Sequence, residues 1–259
     1  MFSLDGKTAL LVGAAGDIGA SVAACYNAAG AHILLCDNNK EGLSKLQSEL
    51  AVPEKSDIYE IDLLKEDMFE GFVDDVLRKH EKIDILVNCA GINKREGILD
   101  VSNETFDRIL GVQFIGVYKL SAEIVRKVMR KTGGKIINVG SYTSYLAMGG
   151  SSVYAAAKNA ITGLTKAMCV EWARYGIQAN CVCPGFFRTG MTEPMWANED
   201  RARWVLERIA CERPGRADEL NGAFLLLASR ASDYISGAMI NVDGGSVAGG
   251  KPYPYDTEY

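Results

Sequence analysis

Three side chains stand at a spacing that can move a proton. Ser141 follows an apolar run that ends at Val139, Tyr154 lies thirteen positions further on, and Lys158 comes four after that in Tyr-Ala-Ala-Ala-Lys. On a helix, residues four apart share one face, so the lysine stands one turn from the tyrosine. A free phenol ionises near pH 10 and is a poor base at neutrality. An ammonium about 4 Å away, at an effective dielectric near 20, favours the phenolate by about 4 kcal/mol, enough to make acid–base catalysis efficient. Ser141 would hold the substrate oxygen by hydrogen bond. A lone Tyr-x-x-x-Lys can also merely decorate a helix surface, so its weight depends on what accompanies it.

What accompanies it is a glycine-rich turn. The first strand-like run leads into Gly13-Ala14-Ala15-Gly16-Asp17-Ile18-Gly19 and then a helix. Glycines there let the backbone turn sharply and approach a pyrophosphate, whose charge the helix N-terminus favours. Twenty-four positions after Gly13 the second run ends in Cys36-Asp37. A carboxylate there can bind both adenosine ribose hydroxyls and repels a 2′-phosphate, so NAD(H) is expected over NADP(H). With Asn38 and Asn39 following, Asp37 could instead be a turn or helix-cap acid. Asp17 suits a helix N-terminus, by roughly 0.3–1 kcal/mol, but not a neighbouring pyrophosphate. Its side chain is expected to turn toward free backbone N–H groups.

These residues need a frame, and the hydropathy pattern supplies one. Strand-like runs at Thr8–Val12, 33–36, 58–61, Ile85–Asn88, 135–139, 178–182 and Met239–Val242 alternate with helix-like stretches at 18–29, 40–50, 66–81, 105–131, 152–175 and 218–228. The runs are apolar throughout instead of alternating, as in a sheet covered on both faces. This predicts a single-domain α/β fold of the Rossmann type: a doubly wound, parallel, seven-stranded sheet with helices on both faces and right-handed crossovers. The domain is expected over 1–246, with an insertion at about 186–216 rich in Met, Trp and Arg, and a C-terminal tail over 247–259. That tail is either a loosely held terminus or an arm docking on a neighbouring subunit.

Composition removes other classes. The 259 residues carry 28 basic and 33 acidic side chains, a formal charge of −5, without a like-charged block. Neither a nucleic-acid partner nor a membrane patch is expected. No basic leader or 18-residue apolar run is present, and a cytoplasmic location is expected. Seven scattered cysteines contain no Cys-x-x-Cys pair and read as buried hydrophobes, with Cys181 and Cys183 on one face of a strand. Two histidines, His32 and His80, are too few for a histidine-dependent triad or a histidine metal site, so no metal is expected.

Taken together, Ser141, Tyr154, Lys158 and the glycine turn resemble the short-chain dehydrogenase/reductase family, from Leu4 to about Ser246. The resemblance implies Tyr154 as acid–base, Lys158 as its partner and ribose ligand, and Ser141 as the substrate-orienting hydroxyl. It implies cofactor contacts from Asn88, Ala90 and Gly91 beside the adenine ribose, from Asp62 and Leu63 at the adenine, and from Pro184, Gly185 and Thr189 at the nicotinamide carboxamide. Asn241 to Gly245 resembles the family's closing strand and turn, and a homotetramer or homodimer is implied. Three departures stand out. Val12 replaces the usual Thr, Asp17 the second Gly, and Gln113 the Asn that supports a helix kink and a water chain to the lysine.

Within the family the sequence is most similar to gluconate 5-dehydrogenases and 2-keto-3-deoxygluconate-type sugar-acid dehydrogenases, through Gly91-Ile92-Asn93-Lys94-Arg95 and the stretches 134–144 and 171–180. Arg95 could pair bidentately with a substrate carboxylate, or be a solvated surface residue. The insertion, with Met191, Met195, Trp196 and Trp204, is placed to close over substrate, or is an amphipathic helix packed on the domain. The implied reaction passes hydride between C4 of nicotinamide and the carbinol carbon of a sugar acid or polyol. Alternatives are a reductase of 3-oxoacyl or steroid-like ketones, and a degenerate dinucleotide-binding protein without activity.

Overall fold

A computed structural model describes residues 1–250. Seven parallel strands, β1 (Thr8–Val12), β2 (His32–Asp37), β3 (Ser56–Glu60), β4 (Ile85–Asn88), β5 (Gly134–Val139), β6 (Ile177–Pro184) and β7 (Met239–Val242), pair in the order β3-β2-β1-β4-β5-β6-β7. The apolar runs explain the two-sided cover. In β1, Leu10 and Val12 join one core and Ala9 and Leu11 the other. Because neighbouring residues of a strand point to opposite faces, a continuous apolar run requires apolar layers on both.

On one face lie α1 (Asp17–Ala28), α2 (Lys40–Glu49) and a late helix, 221–228, carrying Val22, Tyr26, Leu43 and Phe224 into the core. Tyr26 is fully buried, and its hydroxyl donates to the Phe224 carbonyl at 2.9 Å, so the aromatic brings no unpaired oxygen inside. The opposite face holds α3 (Phe69–Lys79), a long helix over 103–132, and α7 (Ser152–Trp172).

The long helix comprises α4 (Asn103–Leu110), α5 (Gly116–Ile124) and α6 (Arg130–Thr132), joined by π-helical turns at Gly111–Ile115 and Val125–Met129. The sequence pattern predicted one uninterrupted helix here; an extra residue in a turn leaves the apolar stripe nearly unchanged, so the pattern hides it. The 186–216 insertion contains α8 (Glu193–Trp196) and α9 (Glu199–Leu206). It packs through Phe186, Met195, Val205 and Ile209 against Tyr142 in a core of its own. The late helix is α10 (Asn221–Ala228).

The expected tail boundary shifts. Val247 packs on the insertion's core, its N–H donates to Asp243 Oδ2 at 2.8 Å, and the Gly250 N–H reaches the Gly245 carbonyl at 3.1 Å. Residues 247–250 therefore belong to the domain, and 251–259 lie outside the described residues.

Beneath the sheet's C-terminal edge, Asn88 and Asn138 face each other in the β4–β5 register. Asn88 Nδ2 donates to Asn138 Oδ1 at 2.8 Å and to Ser121 Oγ at 3.1 Å; Asn138 Nδ2 donates to Thr165 Oγ1 at 2.9 Å. This fully buried chain ties two strands to α5 and α7. Asn138→Ala should leave the Asn88 amide and Thr165 hydroxyl short of partners, at a cost of about 2–4 kcal/mol. A lowered urea midpoint at unchanged m-value is the expected readout.

Candidate active site

The strand order reverses between β1 and β4, and there a cleft of about 460 Å³ opens at the C-terminal ends of the strands. Gly13, Gly16, Asp17, Ile18 and Gly19 form one wall. Gly13 has φ +85°, and a Cβ there would run into the Ala90 backbone; one at Gly19 would strike the Gly13 carbonyl. The turn is thus packed so tightly on β4's exit that only glycine fits. Gly16, the N-cap of α1, provides no side-chain cap, which leaves the first-turn N–H groups of a twelve-residue helix available to an anion. These features fit a dinucleotide's pyrophosphate.

Asp37, Asp62, Leu63, Ala90 and Gly91 also line the same cleft. Asp37 uses both carboxylate oxygens locally: Oδ2 accepts from the Ala15 N–H at 3.1 Å, and Oδ1 from the Asn39 N–H at 3.0 Å. It braces the glycine turn while still bordering the cleft. Burial pushes the neighbouring Cys89 thiol up to about 12, which keeps it protonated.

Asp17 does turn to a backbone N–H, but to a remote one: its Oδ2 accepts a hydrogen bond from the Gly190 N–H at 2.8 Å, 173 positions away in the insertion, not from the N–H groups of its own helix. The tertiary fold brings a second donor within reach, and the carboxylate latches the insertion to α1. Asn88, expected at the cofactor, does not line the cleft; as the last residue of β4 it points into the buried amide chain instead.

Ser141, Tyr154, Lys158 and Gln113 share the opposite wall, with Pro184, Gly185 and Thr189 at the entrance to the insertion. Ser141 Oγ accepts from the Thr143 N–H at 3.1 Å, and the Ser141 N–H donates to Ser144 Oγ at 3.3 Å, which fixes the turn carrying it. Ser144 Oγ in turn donates to the Lys158 carbonyl at 3.2 Å and joins that turn to α7. Lys158 is buried; its Nζ donates to the Val139 carbonyl at 2.9 Å and stands 5.6 Å from the Tyr154 ring centroid. The helical spacing placed the ammonium beside the phenol; the fold also anchors it to β5, so its charge is fixed relative to the cleft.

Gln113 lies in the first π-turn, with both amide atoms buried and without hydrogen-bond partners. Its Oε1 is 3.1 Å, and Lys158 Nζ 3.7 Å, from the place a Cβ on Gly91 would occupy. Two side chains thus converge on one small space beside Gly91, which glycine leaves open. Arg108 also borders the cleft and was missed; it lies four and five positions before Val112 and Gln113, so helical phase could have found it.

Arg95 does not border this cleft. It lines a separate hollow of about 350 Å³ with Met148, Met195, Arg201 and Trp204. Its Nη2 lies 3.3 Å from Met148 Sδ and 3.6 Å from Met195 Sδ, and among the described residues no carboxylate pairs with it. Cys181 and Cys183 are buried on one face of β6 with their sulfurs 3.8 Å apart, and all seven thiols are free.

The family model described as enoyl-(acyl carrier protein) reductase matches residues 13–247. The chain belongs to the short-chain dehydrogenase/reductase family. It is similar to gluconate 5-dehydrogenase of Gluconobacter oxydans, 35% identical over 95% of this chain and 96% of that one. It is 38% identical to 2-dehydro-3-deoxy-D-gluconate 5-dehydrogenase of Bacillus subtilis, over 94% and 96%. The crystal structure of a gluconate 5-dehydrogenase from Burkholderia cenocepacia, in complex with NADP and tartrate, superposes with a TM-score of 0.91 at 35% identity, covering 95% of this chain and 97% of that one. This short-chain dehydrogenase/reductase is accordingly an oxidoreductase acting on CH–OH groups with a nicotinamide dinucleotide.

Asp17→Asn keeps an acceptor for Gly190 but removes a negative charge from the glycine-turn wall of the cleft. The cofactor KM should fall about two- to fivefold with kcat little changed, measured by initial rates at low ionic strength.

Proposed function

We propose that the enzyme interconverts a sugar acid and its keto form, with NAD(H) preferred over NADP(H). The observation that supports this best is the meeting of Ser141, Tyr154 and Lys158 with the glycine turn around one cleft. When bound, the dinucleotide supplies or accepts the hydride. Tyr154 gives or takes the proton at the substrate oxygen, and Ser141 holds that oxygen by hydrogen bond. The Lys158 ammonium, steadied by the Val139 carbonyl and standing 5.6 Å from the Tyr154 ring centroid, would offer its remaining N–H donors to a ribose. Gly13, Gly16, Ile18 and Gly19 would seat the pyrophosphate, and Asp62, Leu63, Ala90, Gly91, Pro184, Gly185 and Thr189 the rest of the dinucleotide.

The preference for NAD(H) rests on Asp37, whose carboxylate would face a ribose 2′-phosphate with like charge. The sugar-acid substrate rests on the relatives' activities and on Arg95. Burial and the charge of nearby Arg201 pull Arg95 down from its ordinary range, so an anionic substrate end is a favourable neighbour. Such a substrate would reach from Ser141 and Tyr154 toward Arg95, with the 186–216 insertion closing over it and excluding water.

Tyr154→Phe should lower turnover by about 10³-fold while NADH affinity, read by fluorescence titration, stays within about twofold. Asp37→Ala should shift the NAD/NADP ratio of kcat/KM by about tenfold toward NADP; a wild type already favouring NADP would refute the role given to Asp37. A panel of sugar acids, hydroxysteroids and 3-oxoacyl thioesters tests the substrate class. Turnover confined to thioesters or steroids overturns the sugar-acid reading, and NADH binding without turnover on any member points to a non-catalytic role.

A further inference from the structure

The only two histidines of the chain stand far from the cofactor cleft, at the opposite, N-terminal edge of the sheet. His32 is the first residue of β2, and His80 immediately follows α3. Both face Asp57, the second residue of β3. His32 Nε2 lies 2.8 Å from Asp57 Oδ2, and His80 Nε2 lies 3.3 Å from the same oxygen. The two rings stand 5.1 Å apart between centroids. One nitrogen from each ring and one carboxylate oxygen all fall within 4.8 Å of one another.

An ordinary ion pair leaves two features unexplained. His80 Nε2 is buried and has no hydrogen-bond partner, approaching Asp57 without forming a hydrogen bond. A buried ring nitrogen left without a partner is costly unless something else occupies it. In addition, Lys79 Nζ holds the other carboxylate oxygen, Oδ1, at 3.0 Å, so that Oδ2 is turned to both imidazoles at once. A hydrogen-bonded carboxylate that presents one oxygen to two imidazoles is a ligand set already oriented by its surroundings.

We propose that His32, Asp57 and His80 bind one divalent transition-metal ion, Zn²⁺ best matching the two imidazoles and one carboxylate, with water completing the coordination. Metal–ligand distances of about 2.0–2.2 Å, which set tetrahedral ligand atoms about 3.3–3.6 Å apart, require the two rings to turn to a common centre and His32 to draw back slightly from Asp57. Since the three ligands come from β2, β3 and the end of α3, the ion would staple the sheet's edge strand to its neighbour and to the helix covering it. Its function is structural, separate from hydride transfer.

The test uses the full chain, freed of metal by a chelator and titrated calorimetrically with Zn²⁺. One ion per chain is expected, with a melting temperature raised in saturating Zn²⁺. His32→Ala and His80→Ala should each weaken binding by about tenfold or more, while NADH binding, unchanged, shows the variants to be folded. Replacement by Co²⁺ should give the visible absorption of nitrogen and oxygen ligation without thiolate-to-metal charge transfer, which separates this site from the cysteines. If a variant does not fold, diethyl pyrocarbonate modification of the wild-type histidines should be slowed at least about fivefold by Zn²⁺. Zn²⁺ binding unaltered in the double histidine variant, a thiolate spectrum, or histidines equally reactive with and without Zn²⁺ would each overturn the proposal.

Discussion

At the boundary between β1 and β4 the glycine turn and the exit of β4 press together, with no room for a side chain at Gly13 or Gly19. Close backbone packing at that point holds the open N-terminus of α1 over the strand ends, and the rest of the cleft is organised around it. The apolar strands matter to function through this contact. Only a sheet buried on both faces forces the helices to alternate sides, and only that alternation leaves a crevice where the strand order reverses. Asp37 belongs to the same structure, since its carboxylate binds the Ala15 and Asn39 N–H groups and so fixes the turn it borders.

The opposite wall is built by tying three segments together. Lys158 is joined to β5 through the Val139 carbonyl, and its own carbonyl receives Ser144 from the turn that carries Ser141. Beneath them the Asn88–Asn138–Thr165 chain fixes β4 and β5 against α7. The ammonium therefore sits in a buried place at low conformational freedom, where its field on the cleft is strong and needs no rearrangement. Neither amide atom of Gln113 has a partner, and the residue is held in a π-turn, a distortion that helices commonly keep at functional positions.

The insertion is connected to this machinery by one hydrogen bond of note. Gly190 donates to Asp17, so the residue least suited to a phosphate wall is also the one that joins the insertion to α1. Around it α8 and α9 form their own small core with Tyr142, and Arg95 rests against the thioethers of Met148 and Met195 at its edge. Cofactor binding, insertion position and the charged hollow are thereby physically contiguous through a few residues.

Seven strands, their parallel order of burial and most helix limits were legible in the sequence, because hydropathy period and glycine position are local signals. So were the convergence of Ser141, Tyr154 and Lys158 on one cleft and the course of the glycine turn. Other features depended on contacts between segments remote in the chain. The π-turn that carries Gln113 leaves the apolar stripe intact, the partner of Asp17 lies 173 positions away, and Asn88 turned inward because Asn138 and Ser121 await it there. Two histidines that looked too sparse to matter were gathered on Asp57 by the pairing of β2 with β3 and the return of α3. Residue type and spacing thus determined which groups could react and which elements would carry them. Where each side chain points, and what it meets, was decided by packing, since a hydrogen-bond partner is chosen by distance in space and not by distance along the chain.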